Sequence, residues 1–304
     1  MSRKIKPFLK WAGGKTQLLP VIKENLPNNI GMLTRYVEPF VGAGAVFFSL
    51  VKENHFEEYI INDINEKLIN LYRVIRDDVE TLILELTNIR AEYMALVDIE
   101  AKGEYFYARR EEFNVTEILT TRMAALFIFL NKTCFNGLYR ENANGGFNVP
   151  FNKSKSPSMF EEEQLREISR LLNIRNAQGN SKVQIFNLSF EELDEYIDNH
   201  TFVYLDPPYR PITKGGFNSY NKSSFNDEDQ QRLAHFYREM HTKGASLMLS
   251  NSDPKNLDER DEFFDELYSG FNIMRVNANR MINSDGKARG SISEILVCNY
   301  QTIE

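Results

Sequence analysis

RYVEPFVGAGAVFFSLVKENHFEEYIIND, residues 35–63, is the stretch that decides the fold. Residues 35–40 are extended in character, Gly42 and Gly44 punctuate 41–45, and residues 45–53 are apolar enough to begin a packed helix. Residues 58–63 read as a second strand ending on Asp63, and Leu68, Ile69, Leu71, Tyr72 and Ile75 follow at helical spacing across 66–76. Strand, glycine turn, helix and strand make a βαβ unit, the seed of a parallel sheet.

Outward from that unit the texture changes twice. Residues 77–130 carry helical patterns over 79–92, 105–113 and 116–130, the last ending in an apolar run, with no strand signal between them. Residues 131–155, NKTCFNGLYRENANGGFNVPFNKSK, are rich in Asn and Gly; with a turn at Asn144-Gly145-Gly146 they read as a β-hairpin or an ordered loop. After a helix at 161–175 the alternation returns, with strands at 182–187, 201–206 and 245–251 and helices at 190–198, 227–243 and 254–269. Strands near 271–277 and 292–300 close the chain. This pattern predicts an α/β fold, a doubly wound and mostly parallel sheet that presents ligands at the carboxyl ends of its strands. Residues 77–178 look like an insertion, leaving a discontinuous domain of 1–76 and 179–304 around them.

The 304 residues are 42% hydrophobic and 26% charged, with 16 Gly and 10 Pro, which excludes disorder, collagen and coiled coil. The longest uncharged apolar run, 41–51, is far short of the ~20 residues that cross a bilayer. No apolar leader opens the chain, so a cytoplasmic protein with no membrane partner is expected. Two cysteines, Cys134 and Cys298, and 4 His offer no metal-ligand spacing, so no metal is expected. A net charge of −7 would argue against nucleic acid if it were evenly spread. Residues 1–23, however, carry Arg3, Lys4, Lys6, Lys10, Lys15 and Lys23 without an acid, and 131–155 carry Lys132, Arg140, Lys153 and Lys155 against Glu141 alone. Such patches either stand as solvated faces or meet phosphate.

VYLDPPY, residues 203–209, places Asp206 directly after a strand, where a doubly wound sheet presents its site. A carboxylate, a carbonyl held rigid by Pro207 and Pro208, and the aromatic face of Tyr209 suit the grip of an exocyclic amine on a flat ring. The amine of adenine is a poor nucleophile because its lone pair is delocalised into the ring. If Asp206 and the Pro207 carbonyl accept its two hydrogens, the nitrogen is drawn towards a pyramidal form that attacks a methyl group. Tyr209 then stacks on the base, which requires a base outside the helix. The bland alternative is a rigid turn.

The turn at Gly42 and Gly44 lets backbone approach a cofactor, and Asp63 stands where an acid accepts ribose hydroxyls. Phe47 occupies the place of a third glycine, favouring a nucleoside cofactor without a pyrophosphate over a dinucleotide. Tight strand–helix packing is the other reason for these glycines. Gly13-Gly14-Lys15-Thr16 resembles a P-loop ending, but Leu9 stands where the first glycine belongs. Trp11 and Lys15 read equally as a core ring and a surface lysine. In the hairpin, Phe135, Asn136, Tyr139 and Arg140 are the types that wedge a base step and read a guanine edge, or that fill a core. Cys134 shows no partner base, so thiolate attack on a cytosine has no support.

FLKWAGGKTQLL (8–19), YVEPFVGAGAVFF (36–48), IINDIN (60–65), FNGLYRENANGGFNVPF (135–151) and VYLDPPY (203–209) together resemble the Dam family of DNA adenine N6-methyltransferases. These are alpha-group, D12-class amino-methyltransferases that use S-adenosylmethionine, and the match runs from Lys6 to the closing SEILVCNY (293–300). The resemblance implies a Rossmann-like methyltransferase sheet with an inserted helical target-recognition domain, 77–178, that carries the hairpin.

It also implies roles. Trp11 and Lys15 would help hold S-adenosylmethionine, and Glu38, Phe40, Gly42 and Gly44 would line the same site. Asp63 would bind ribose, and Asp206 would lie between cofactor and target amine, with Pro207 and Tyr209 completing the catalytic set. Phe190 is similar to the family's aromatic beside the cofactor adenine, while Ser189 stands where many relatives have Asp. In relatives that methylate GATC in double-stranded DNA, positions matching Arg140 and Lys10 read guanines, and Leu138 and Pro150 match positions at the thymine. Asn136 matches one beside the displaced pair, and Phe135 replaces an intercalating tyrosine. A monomer, associated with the nucleoid through DNA, is implied. A partnership with a cognate restriction endonuclease and solitary action both fit the residues. A cytosine N4 target and a catalytically silent DNA-binding relative are the competing readings.

Overall fold

The computed structural model of the chain describes residues 7–11, 13–116, 118–210, 225–278 and 292–302. After α1 (Leu19–Glu24), strand β1 (Arg35–Glu38) leads through the glycine turn to α2 (Ala45–Val51). It stops at Glu38, not at 40, because Pro39 has no N–H to give a ladder. β2 (Glu58–Asn62) ends one residue before Asp63. α3 (Glu66–Asp77) starts where the Asn65 side chain accepts the Leu68 N–H, and it buries the apolar face read from the sequence. α4 (Val79–Ala95), α5 (Ile99–Val115) and α6 (Thr121–Thr133) follow. Asp98 and Thr120 cap the last two, moving their starts from 105 to 99 and from 116 to 121. α6 buries Met123 to Asn131 without a break; a helix apolar around its whole circumference belongs at the centre of a core. α7 (Glu162–Leu172), β3 (Val183–Phe186), β4 (Thr201–Leu205), α8 (Asp227–Thr242), β5 (Ser246–Ser252), α9 (Phe263–Leu267), β6 (Asn272–Ala278) and β7 (Ile292–Cys298) complete the described elements.

Seven strands among the described residues form one sheet in the order β3-β2-β1-β4-β5-β7-β6. β1 pairs in parallel with β2 and with β4, β4 pairs in parallel with β5, and β7 runs antiparallel between β5 and β6. The strand order therefore reverses at β1 and β4, the position at which open α/β sheets receive ligands. β4 and β5 are buried along their whole length, as strands covered on both faces must be. The chain forms two compact units: Met1–Gly14, Gly42–Lys52 and Asn62–Asn187 in the first, and Lys15–Val41, Glu53–Ile61 and Leu188–Glu304 in the second.

Two expected elements take another form, and the hairpin-or-loop segment is an ordered loop. Residues 131–155 make no strand; the chain returns on itself through isolated antiparallel bridges at Cys134↔Phe151 and Glu141↔Phe147. Positive φ at Asn136, Gly137 and Gly145 breaks any ladder, and the side chains of Asn114 and Asn142 take over its backbone groups. Residues 190–198 form a 3-10 turn, Phe190–Tyr196, because the buried Phe190 and Leu193 are three apart, the period of that helix. The single helix expected at 254–269 divides into a 3-10 turn, Pro254–Asn256, and α9. Between them Asp258 and Asp261 bond the N–H groups of Arg260 and Phe263, replacing helical hydrogen bonds.

Candidate active site

In the second unit, Asp206 is the first residue past β4, and four side chains meet there. Lys15 Nζ lies 2.7 Å from Asp206 Oδ1 and donates to the Tyr209 hydroxyl at 2.6 Å. Tyr209 in turn donates to Glu294 Oε2 at 2.5 Å, and that carboxylate stands 3.9 Å from Lys15 Nζ. Lys15 is 3% exposed, so its charge depends on these partners rather than on water. The Ser250 hydroxyl donates to Asp206 Oδ1 at 3.1 Å and shares a hydrogen bond with Tyr204 at 2.9 Å. Both bonds to Asp206 fall on Oδ1; among the described residues Oδ2 has no partner, and neither has the Pro207 carbonyl. Burial pushes the Asp206 carboxyl above its ordinary value, while Lys15 and Ser250 pull it back towards the ionised form. Burial and the two neighbouring carboxylates push the Tyr209 phenol far up, so it remains a hydrogen-bond donor.

The loop that carries these groups is fixed from below. Gln230 Nε2 donates to the Pro208 carbonyl at 3.1 Å, and Asn251 Nδ2 donates to Gln230 Oε1 at 3.2 Å. Both amides are fully buried, so each needs its bonds. On the neighbouring strand, buried Glu38 accepts from the Tyr36 hydroxyl at 2.6 Å. Phe40 and Phe190 are 5.5 Å apart between ring centroids in an aromatic group with Phe225 and Phe236. The Arg232 guanidinium lies 5.6 Å over the Phe190 ring. Ser189 spends its hydrogen bonds locally, in the cap of the 3-10 turn with Glu191 and Glu192.

In the first unit, Asp63 accepts the Gly42 N–H at 3.1 Å and the Asn65 N–H at 3.0 Å. Burial outweighs those two donors and raises its carboxyl to about 6. The next residue, Ile64, is 72% exposed. Trp11 stacks on Tyr139 and Phe127 with centroids 5.7 and 6.3 Å away. A Cβ at Gly42 would lie 2.8 Å from Trp11 Nε1, and one at Gly44 would lie 2.6 Å from Phe48 and from the Tyr72 hydroxyl. Both glycines thus have a packing reason to be glycine, in addition to positive φ.

The same unit gathers the six residues expected at DNA. Lys10 and the segment after α6 are joined by Asn131, whose amide bonds the Lys10 N–H and the carbonyls of Lys10 and Gly137. The Phe135 N–H donates to the Pro150 carbonyl at 2.8 Å. Phe135 is 52% exposed, and Lys10, Asn136, Leu138, Arg140 and Pro150 are exposed beside it in sequence or by these bonds. Arg140 Nε donates to Asn148 Oδ1 at 2.7 Å. Arg3, Lys4 and Lys6 lie outside the described residues.

Sequence reasoning missed Glu294, Ser250 and Gln230. A lone acid in the apolar strand ISEILVC and a serine in the buried strand SLMLSNS were the available signals. No group of side chains able to hold a metal ion occurs among the described residues, and no described helix is long and apolar enough to cross a membrane.

Comparison with known proteins bears on the whole chain. Residues 11–282 match the model of the D12 class N6 adenine-specific DNA methyltransferases. The type II methyltransferase M.MjaIII of Methanocaldococcus jannaschii is 49% identical over 97% of this chain and 99% of its own. M1.LlaDCHI of Lactococcus lactis, also a type II methyltransferase, is 36% identical over 97% and 96%. The DNA adenine methylase of Escherichia coli is 33% identical over 97% and 95%. With a family model spanning most of its length and relatives matched nearly end to end, the chain belongs to the D12 class of N6 adenine-specific DNA methyltransferases.

Proposed function

We propose that the chain transfers a methyl group from S-adenosylmethionine to N6 of an adenine within GATC, after that base has rotated out of the duplex. The observation that carries the reading is the pair of open acceptors at Asp206 Oδ2 and the Pro207 carbonyl, on a loop held by Lys15, Ser250 and Gln230. Two acceptors match the two hydrogens of an exocyclic amine. Preorganised acceptors raise the nucleophilicity of that nitrogen without reorganising during the reaction.

The residues fit the donor. Asp63 presents a carboxylate for the ribose hydroxyls with an exposed apolar side chain, Ile64, beside it. In this reading Glu38 and Lys15 serve the amino-acid end of the donor, Phe190 serves the adenine, and Trp11, Phe40, Gly42 and Gly44 are further donor-binding residues. When bound, S-adenosylmethionine supplies an electrophilic methyl on a positively charged sulfur.

On the DNA side, Arg140 and Lys10 read guanines, Leu138 and Pro150 meet the thymine, Asn136 attends the displaced pair, and Phe135 fills the space the adenine leaves. That Phe135 is 52% exposed supports this reading, and its missing hydroxyl costs no stacking. Residues 77–178 are the target-recognition part in this reading.

The test is transfer from labelled S-adenosylmethionine to duplexes that differ only in GATC or GTTC. Label is expected on GATC alone, as N6-methyladenine. Asp206→Ala is expected to lower turnover by at least about a hundredfold while binding DNA as before. Equal labelling of both duplexes removes the GATC reading, and an active Asp206→Ala protein removes the site.

A further inference from the structure

We propose that Glu294, on β7, is a positioning residue for methyl transfer: it holds the Tyr209 ring by its hydroxyl and so fixes the Lys15–Asp206 pair. Nothing in the five sequence motifs points to it, because the acid and the tyrosine are 85 positions apart. The structure joins them through the sheet. β7 pairs with β5 in the register Ser252↔Glu294, and β5 pairs with β4, whose end carries Asp206. Ser250 of β5 bonds Asp206, and Glu294 reaches Tyr209, so two strands support one loop from the same side of the chain reversal.

Direction matters in this set. Lys15 has only protons to give, and it gives them to Asp206 Oδ1 and to the Tyr209 oxygen. Tyr209 therefore has one proton left to place, and Glu294 Oε2 is the acceptor at 2.5 Å. Remove the acceptor and the phenol loses its orientation, the ring is free to turn about its side-chain torsions, and the oxygen it holds to Lys15 is no longer fixed. The ammonium, 4.6 Å from the ring centroid, moves with the ring. Asp206 Oδ1 then has a looser partner, and Oδ2 is no longer aimed. Glu294 touches neither substrate nor the reacting atoms in this scheme; it acts through Tyr209.

The inference rests on the proposal that Asp206 and Tyr209 form the transfer site, and the experiment separates the two. Wild type, Asp206→Ala, Glu294→Ala, Glu294→Gln, Tyr209→Phe and the Glu294→Ala/Tyr209→Phe double variant are assayed for kcat and for KM of donor and GATC duplex, with a thermal melt for each. Glu294→Ala is expected to lower kcat about tenfold to a hundredfold, the loss that misplacement by an ångström brings, with both KM values within about threefold of wild type. Glu294→Gln keeps an acceptor oxygen and is expected to recover most of that loss. The double variant is expected to be no slower than the worse single one, since both changes break the same bond. Losses that multiply in the double variant, a Gln variant as slow as Ala, or a fall that tracks melting temperature alone would each overturn the proposal. An active Asp206→Ala protein would instead overturn the site reading, whatever the Glu294 variants do.

Discussion

Arg140 is partly ordered before any base arrives, because its Nε is already bonded to Asn148. Pre-ordering one edge of a guanidinium lowers the entropy lost when the other edge forks onto a guanine. If Arg140 reads a guanine of GATC as proposed, Arg140→Ala is expected to cut discrimination against a single-base change at that guanine by about 1–3 kcal/mol, with a smaller effect on the rate at GATC itself. The ratio of kcat/KM on matched and altered duplexes measures it. Asp63 makes a different prediction. With its carboxyl raised to about 6, it is ionised at pH 7.5 and takes up a proton as the pH falls through 6, losing the charge that the proposed function assigns to the ribose hydroxyls. Donor affinity, followed by calorimetry, is expected to weaken between pH 7 and 5, and Asp63→Asn is expected to bind weakly with a flatter profile. The places of Asp206 and Asp63 in the fold were legible in the sequence because each directly follows an apolar strand. Glu294 was not, since its value comes from a partner that only the sheet brings near.

Elements were legible where one physical signal dominated. β4 and α3 follow their apolar patterns within a residue, since burial decides both. The segment after Ser189 and the helix after Pro254 changed form, and residues 131–155 settled as a loop rather than a hairpin, where Asn, Asp and Ser side chains competed with the backbone, a contest that apolar periodicity does not record. The glycine turn between β1 and α2 is the element with the sharpest test. Gly42→Ala puts a methyl against Trp11 at a φ of +49°, and a destabilisation of about 1–3 kcal/mol is expected in a urea melt. Because Trp11 is the chain's one tryptophan, its fluorescence should shift in the same variant. An unchanged spectrum and midpoint would mean that the ring moves aside freely.

For the whole molecule the first question is charge. A chain of net charge −7 binds a polyanion only through local cations, so its affinity should fall steeply with salt. Lys153 and Lys155 are exposed and follow Pro150 closely in the chain; if they meet phosphate in the proposed complex, replacing both with Gln is expected to reduce the slope of log K against log salt by up to about 2 without altering base preference. A slope that stays constant would place both lysines away from phosphate. The sheet has a second consequence, one for synthesis. Its central pairing sets Arg35 beside Thr201, so β1 leaves the ribosome long before its neighbour exists. Until then one flank of β1 is an open template, and closure waits on a contact of very long range. A nascent chain stopped ahead of β4 would carry residues 77–178 complete but lack Asp206, so with the proposed site the enzyme cannot modify DNA until most of it has been made.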